Sequence, residues 1–249
     1  MPHPDRSLSL PFNRWLVAAL LALSGVHPMA TAADATPPTA AAAPTKADLD
    51  LEKRAAEWTA SLQLNDPARE ARVAAVVATH LKAVRDWHNS HPASTVPAGI
   101  NPVTGQRLSD LDRQIIADSA MPRTVHEALM NGLRADLTEP QVEAILDKYT
   151  IGKVAFTMKG YRAIVPDLTE AEAATIEGFL KQAREQAVDY KNMPQISAIF
   201  EIYKTKSEQF LNSNGRSWKQ LYKTYTDGVK AKKAADAKAK ADAQKATAK

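Results

Sequence analysis

The chain has 249 residues, of which 45% are hydrophobic and 24% charged, and it contains no cysteine. That length can bury a substantial core, and without cysteine there is neither a disulfide nor a lipid-anchor site, so packing alone must hold the fold. The formal charge of +4 points toward polyanions, but seven lysines against two aspartates fall within 230–249. Between the first 32 residues and that tail the chain is slightly acidic, and it lacks the basic face that nucleic-acid binding needs.

Residues 1–32 have the pattern of a secretory signal. Arg6 and Arg14 charge its start, Trp15 to Val26 is apolar, and Ala30-Thr31-Ala32 offers small residues for cleavage between Ala32 and Ala33. The apolar run is shorter than the roughly 20 residues a spanning helix requires. The expectation is a periplasmic or secreted protein that is neither a lipoprotein nor membrane-spanning. Residues 33–46, rich in Ala, Pro and Thr, read as a flexible leader. A single helical domain is expected over 47–228.

That domain opens with Leu51, Ala55, Trp58 and Leu62 on one helical face. Asp66-Pro67 starts a second helix, which carries Val73, Val77, His80, Leu81, Val84 and Trp87 and ends near His91, before Pro92. The Pro- and Gly-bearing segment 92–107 has no periodicity and reads as a long surface loop. Helical pattern resumes near Ser109, breaks or restarts at Pro122, and continues through Leu129 and Leu133. Capping boxes at Thr138/Gln141 and Thr169/Glu172 open two further helices. Another runs from about Pro194 to Ser213, stopped by Asn214-Gly215, and a last begins after Ser217 with Trp218, Leu221, Tyr222 and Tyr225. The Lys/Ala tail at 229–249 has no apolar face and reads as disordered or loosely helical. The fold class is therefore all-α, a bundle of about six or seven helices.

One segment breaks this regularity. Between the capped helices, Gly152 and Gly160 bracket Val154, Phe156 and Met158, whose alternation predicts a short extended connector over about 150–160. The three apolar side chains would plug one end of the bundle. Tyr149, Lys153, Lys159 and Tyr161 then form a candidate ligand site, because aromatic faces and cationic donors suit an oligosaccharide or an acidic sugar. Tyr149 and Lys153 also have the spacing of a Tyr/Lys oxidoreductase pair, but no glycine fingerprint for a dinucleotide is present and no cofactor is expected.

Among the histidines, His88 and His91 lie one turn apart and are the residues on which a metal site would be built. No H-E-x-x-H and no cysteine pair completes the ligand set, so no metal is expected. His80 and His126 read instead as hydrogen-bonded helix-packing residues. No pair of acidic residues stands out for glycoside hydrolysis, and no catalytic residue is assigned.

The run Leu137-Thr138-Glu139-Pro140-Gln141-Val142, then Tyr149-Thr150-Ile151-Gly152-Lys153-Val154, Gly160-Tyr161 and Pro166-Asp167-Leu168-Thr169-Glu170, resembles an exported bacterial family labelled domain of unknown function 3826. The likeness covers roughly Lys53 to Gly215. It implies a secreted, mostly helical protein of bacteria that feed on plant polysaccharides, with no catalytic residues to carry over. The leading reading is thus a non-enzymatic binding or accessory protein in polysaccharide use. A periplasmic chaperone or stress adaptor is the alternative, and a carbohydrate-active enzyme the third. The lysine-rich tail suits an anionic cell-envelope surface.

Overall fold

The computed structural model describes residues 43–102 and 104–247, so the signal pattern at 1–32 and the leader up to residue 42 lie outside the described residues. Among the described residues there are nine α-helices, one short 3-10 turn at Ala93–Thr95 and a single isolated antiparallel bridge between Ile100 and Arg107. The helices are α1 (Lys46–Ala60), α2 (Pro67–Ser90), α3 (Asp110–Ser119), α4 (Arg123–Asp136), α5 (Glu139–Thr150), α6 (Lys153–Ile164), α7 (Glu170–Ala187), α8 (Met193–Ser213) and α9 (Trp218–Thr247). The fold is all-α.

Most helix starts follow from local chemistry. Thr45/Asp48, Ser109/Asp112, Thr138/Gln141 and Thr169/Glu172 each form a capping box, while Asp66 and Asn192 cap α2 and α8 next to a proline in the first turn. Each cap satisfies amides that the helix cannot, worth about 1 kcal/mol apiece. The box carboxylates record this: hydrogen bonds from Thr45 and Ser109 hold Asp48 and Asp112 below the usual carboxylate range.

The apolar stripes pack into two clusters. One gathers Ala55, Val73, Val77, Leu129, Leu133, Val142, Ile145 and Tyr149 from α1, α2, α4 and α5. The other gathers Val154, Met158, Tyr161, Ile176, Leu180, Ile199, Phe200 and Leu211 from α6, α7 and α8. Each fully buried aliphatic side chain contributes roughly 1.5–3 kcal/mol. Where α2 meets α4, the helices approach closely at Gly132, since a Cβ there would lie 2.7 Å from Val76 Cγ2.

The extended connector expected at about 150–160 is a helix. Ile151 (φ 53°, ψ 44°) and Gly152 (φ 64°, ψ 26°) both adopt the left-handed conformation, which ends α5 and turns the chain directly into α6. The alternation that suggested a strand is incidental. Val154, Met158 and Tyr161 recur at the helical spacing and are buried, while Phe156 points away from that cluster and is 77% exposed. Phe156 is therefore no plug. This extra helix, together with the division of the 110–136 segment at Pro122, gives nine helices instead of six or seven.

The proline-bearing segment 92–107 is tethered. The Arg113 guanidinium donates to the Val96 carbonyl at 2.9 and 2.7 Å, and Leu108 N donates to Gly99 O at 2.9 Å. At the other end of the chain, α9 carries the Ala/Lys-rich sequence on as regular helix, with residues 230–240 exposed. High alanine content favours helix even where nothing packs against it.

Candidate functional site

Three helices line a common groove of about 670 Å³. From α6 come Lys153, Phe156, Lys159 and Tyr161, from α8 Phe200, Glu201, Lys204 and Glu208, and from α9 Trp218, Tyr222 and Tyr225. The spacings i, i+3, i+7 on α8 and i, i+4, i+7 on α9 are those of a single helical face. The start of α9 is fixed by Arg216, whose Nε donates to Glu172 Oε1 at 2.7 Å and whose Nη2 donates to the Asp167 carbonyl at 2.9 Å. That ion pair holds the Glu172 carboxyl down at about 2.

Aromatic rings make the groove's walls. Trp218 stacks on Tyr222 with centroids 6.0 Å apart, and Tyr161 lies against Trp218 at 5.3 Å. Phe156, Tyr222 and Tyr225 are exposed. Tyr161 is the floor of the groove and not a free platform. It is 3% exposed, its hydroxyl donates to the Lys204 carbonyl at 3.1 Å, and burial pushes its phenol well above the ordinary range. Charged groups form the rim. Lys204 pairs with Glu201 at 2.8 Å, and Lys153 Nζ sits 5.6 Å from the centroid of the Phe200 ring. Lys159 is exposed and has no ion-pair partner among the described residues. Burial raises the Glu208 carboxyl above its usual range, Lys204 opposes that, and Glu201 adds to it.

Of the four residues expected to share a site, Lys153, Lys159 and Tyr161 meet here and Tyr149 does not. Tyr149 closes the other apolar cluster, edge-on to Trp58 at 4.9 Å, with its hydroxyl 3.2 Å from His80 Nδ1. Periodicity could not separate it from the others, because the Ile151-Gly152 reversal sends α5 and α6 to different cores.

Of the four histidines among the described residues, His80, His88 and His126 make contacts between segments, whereas the His91 ring stays against its own helix end. His80 Nε2 lies 3.0 Å from Asp189 Oδ1, and His126 Nδ1 lies 2.8 Å from Asp189 Oδ2. Asp189 thus ties α2 and α4 to the turn after α7. His88 Nδ1 meets Asp118 at 2.7 Å, and His91 stacks on Trp87 at 3.7 Å. Among the described residues no three or more histidines, cysteines or carboxylates converge as metal ligands. Sequence reading missed Asp118 and Asp189, the carboxylates to which these rings bind. Their only signal was an aspartate next to a helix end, which recurs many times in the chain.

No curated protein matches the chain. The match to a family model runs over residues 49–231, which takes in both apolar clusters and the whole aromatic groove and ends as the lysine-rich part of α9 begins. With well over half its length matched, the chain belongs to the family described as Protein of unknown function (DUF3826).

Proposed function

We propose that the protein is exported and binds oligosaccharides, acidic ones included, in the groove between α6, α8 and α9, as a binding or accessory component of plant-polysaccharide use. The observation that carries this reading is the set of exposed rings, Phe156, Tyr222 and Tyr225, ranged with the Trp218 stack around a groove with a charged rim. Aromatic faces stack on the apolar face of a sugar ring, while Lys153 and Lys159 supply charge-assisted hydrogen bonds to hydroxyls or a uronate carboxylate. The exposed lysines of α9 beyond Gly228 extend the cationic surface along the same helix, which suits an acidic polymer or an anionic envelope surface. Export rests on the Arg6/Arg14, apolar-run and Ala30-Thr31-Ala32 pattern. The plant-polysaccharide setting rests on the family resemblance.

Titration calorimetry of the chain without residues 1–32 against neutral and uronic-acid oligosaccharides tests the reading. Binding is expected, and Tyr222→Ala should weaken it about tenfold, the equivalent of one lost stacking contact. Because Tyr222 is exposed, the melting temperature of that variant without sugar should stay at the parent value. Tyr161→Ala cannot serve as the probe, since removing a buried aromatic costs about 3–5 kcal/mol of stability whatever the groove does. Absence of binding by every oligosaccharide class would overturn the proposal.

A further inference from the structure

A second groove, of about 720 Å³, is bordered by Asp118 at the end of α3, by His126 on α4 and by Gln182, Glu185, Gln186 and Asp189 on α7 and the turn after it. His126 is held there mainly through Nδ1. Its Nδ1 faces Asp189 Oδ2 at 2.8 Å, whereas Nε2 makes a looser ion-pair contact with Glu185 Oε1 at 3.7 Å, longer than a hydrogen bond. Asp189 is in turn anchored by His80, whose remaining nitrogen meets the Tyr149 hydroxyl at 3.2 Å. The chain Tyr149–His80–Asp189–His126 therefore anchors the outermost imidazole through Nδ1, and its Nε2 lies on the side of Glu185, which lines the same groove. A carboxylate that orients a histidine is the standard support for a general base.

We propose that His126 is a general base, positioned by Asp189, that activates water against a neutral ester bound in this groove. The chemistry narrows to this class step by step. Asp118, Glu185 and Asp189 disfavour an anionic ligand. The Ser119 hydroxyl, the aliphatic alcohol among the lining residues, donates to the Ile116 carbonyl at 2.7 Å, so it is engaged elsewhere and the nucleophile is water. Water delivered by a single base suffices for an ester. Nε2 takes one proton as the water oxygen bonds to the carbonyl carbon, and the tetrahedral adduct then expels the alkoxide. The same Nε2–H protonates that alkoxide, releasing acid and alcohol and restoring the neutral imidazole. The titratable and charged groups around His126 in the groove are Asp189 and Glu185, Asp118, Arg123 on its own helix, and the phenols of Tyr190 and Tyr203. The Asp189 hydrogen bond raises the imidazole above its ordinary range, so the base form accumulates only above that range and the rate climbs with pH.

The test is steady-state hydrolysis of p-nitrophenyl acetate by the chain lacking residues 1–32, with free imidazole at equal concentration as reference. Saturable turnover is expected, with kcat lowered about 100-fold in His126→Gln and in Asp189→Asn. Glu185→Gln should move the rising limb of the pH profile to lower pH, because one stabilising carboxylate is lost, and this half-exposed site tolerates the change. A folded His126→Gln variant hydrolysing within twofold of the parent would overturn the assignment. So would a rate that rises linearly with ester to the level of free imidazole. If His126→Gln does not fold, an unmoved pH limb in Glu185→Gln overturns it equally.

Discussion

Asp189 sits where three segments meet, accepting hydrogen bonds from His80 on α2 and His126 on α4. Burial alone would raise its carboxyl, yet the two histidines together hold it below its usual range. The same bond raises His126, with Glu185 adding to the effect. A histidine raised on folding binds its proton more tightly in the native state. Its contribution is complete below the unfolded value of about 6.5 and is lost as pH rises through the folded one. Thermal unfolding should therefore show a melting temperature that declines from pH 6 toward pH 9, and His126→Gln should flatten that decline. A slope identical in both proteins would place the pH dependence elsewhere. Tyr149 and Tyr161 make a related point. Both carry the composition of a ligand site, and both are buried, each with its hydroxyl satisfied inside the protein.

At the scale of elements, the reversal between α5 and α6 does the most. Asp147 O accepts from Gly152 N at 2.9 Å, which closes the end of α5 while Ile151 and Gly152 turn left-handed. A β-branched residue in that conformation costs about 1–2 kcal/mol, and Ile151 recovers little by burial because its side chain is 71% exposed. Ile151→Gly should accordingly stabilise the protein by about 0.5–1 kcal/mol in denaturant unfolding, after allowing for the greater freedom of glycine in the unfolded chain. A loss of stability would mean that the side chain is held by contacts that outweigh the backbone strain. The reversal also separates the two apolar clusters. It sends Tyr149 into one and Val154, Met158 and Tyr161 into the other.

At the scale of the whole molecule, stability and binding divide along α9. Its first turns wall the aromatic groove, while the stretch from Lys230 to Lys240 is exposed. Ending the chain at Lys232 should change the unfolding free energy by less than about 0.5 kcal/mol, since Lys233 to Lys240 are exposed. The same deletion should weaken capture of acidic oligosaccharides more than neutral ones, most visibly at low salt. A clear drop in melting temperature would show that the distal helix packs on the domain after all. Much of the fold was legible in the sequence. Helix starts at Asp66, Thr138 and Thr169 are written in local hydrogen-bond chemistry, and stripes such as Val73–Val77 report their buried face directly, so the all-α class needed no tertiary information. Four short-range positions in 149–161 could not reveal whether they met. Val154, Phe156 and Met158 fit alternation as well as helical spacing over so brief a run, and only packing against α7 and α8 selects the helix. What the tertiary structure alone decided was which faces came together. It brought Trp218 and Tyr222 to Lys153 and Tyr161, and it joined His126 to Asp189 and His80. These are contacts between residues far apart in the chain, and only the packing of the helices determines such pairings.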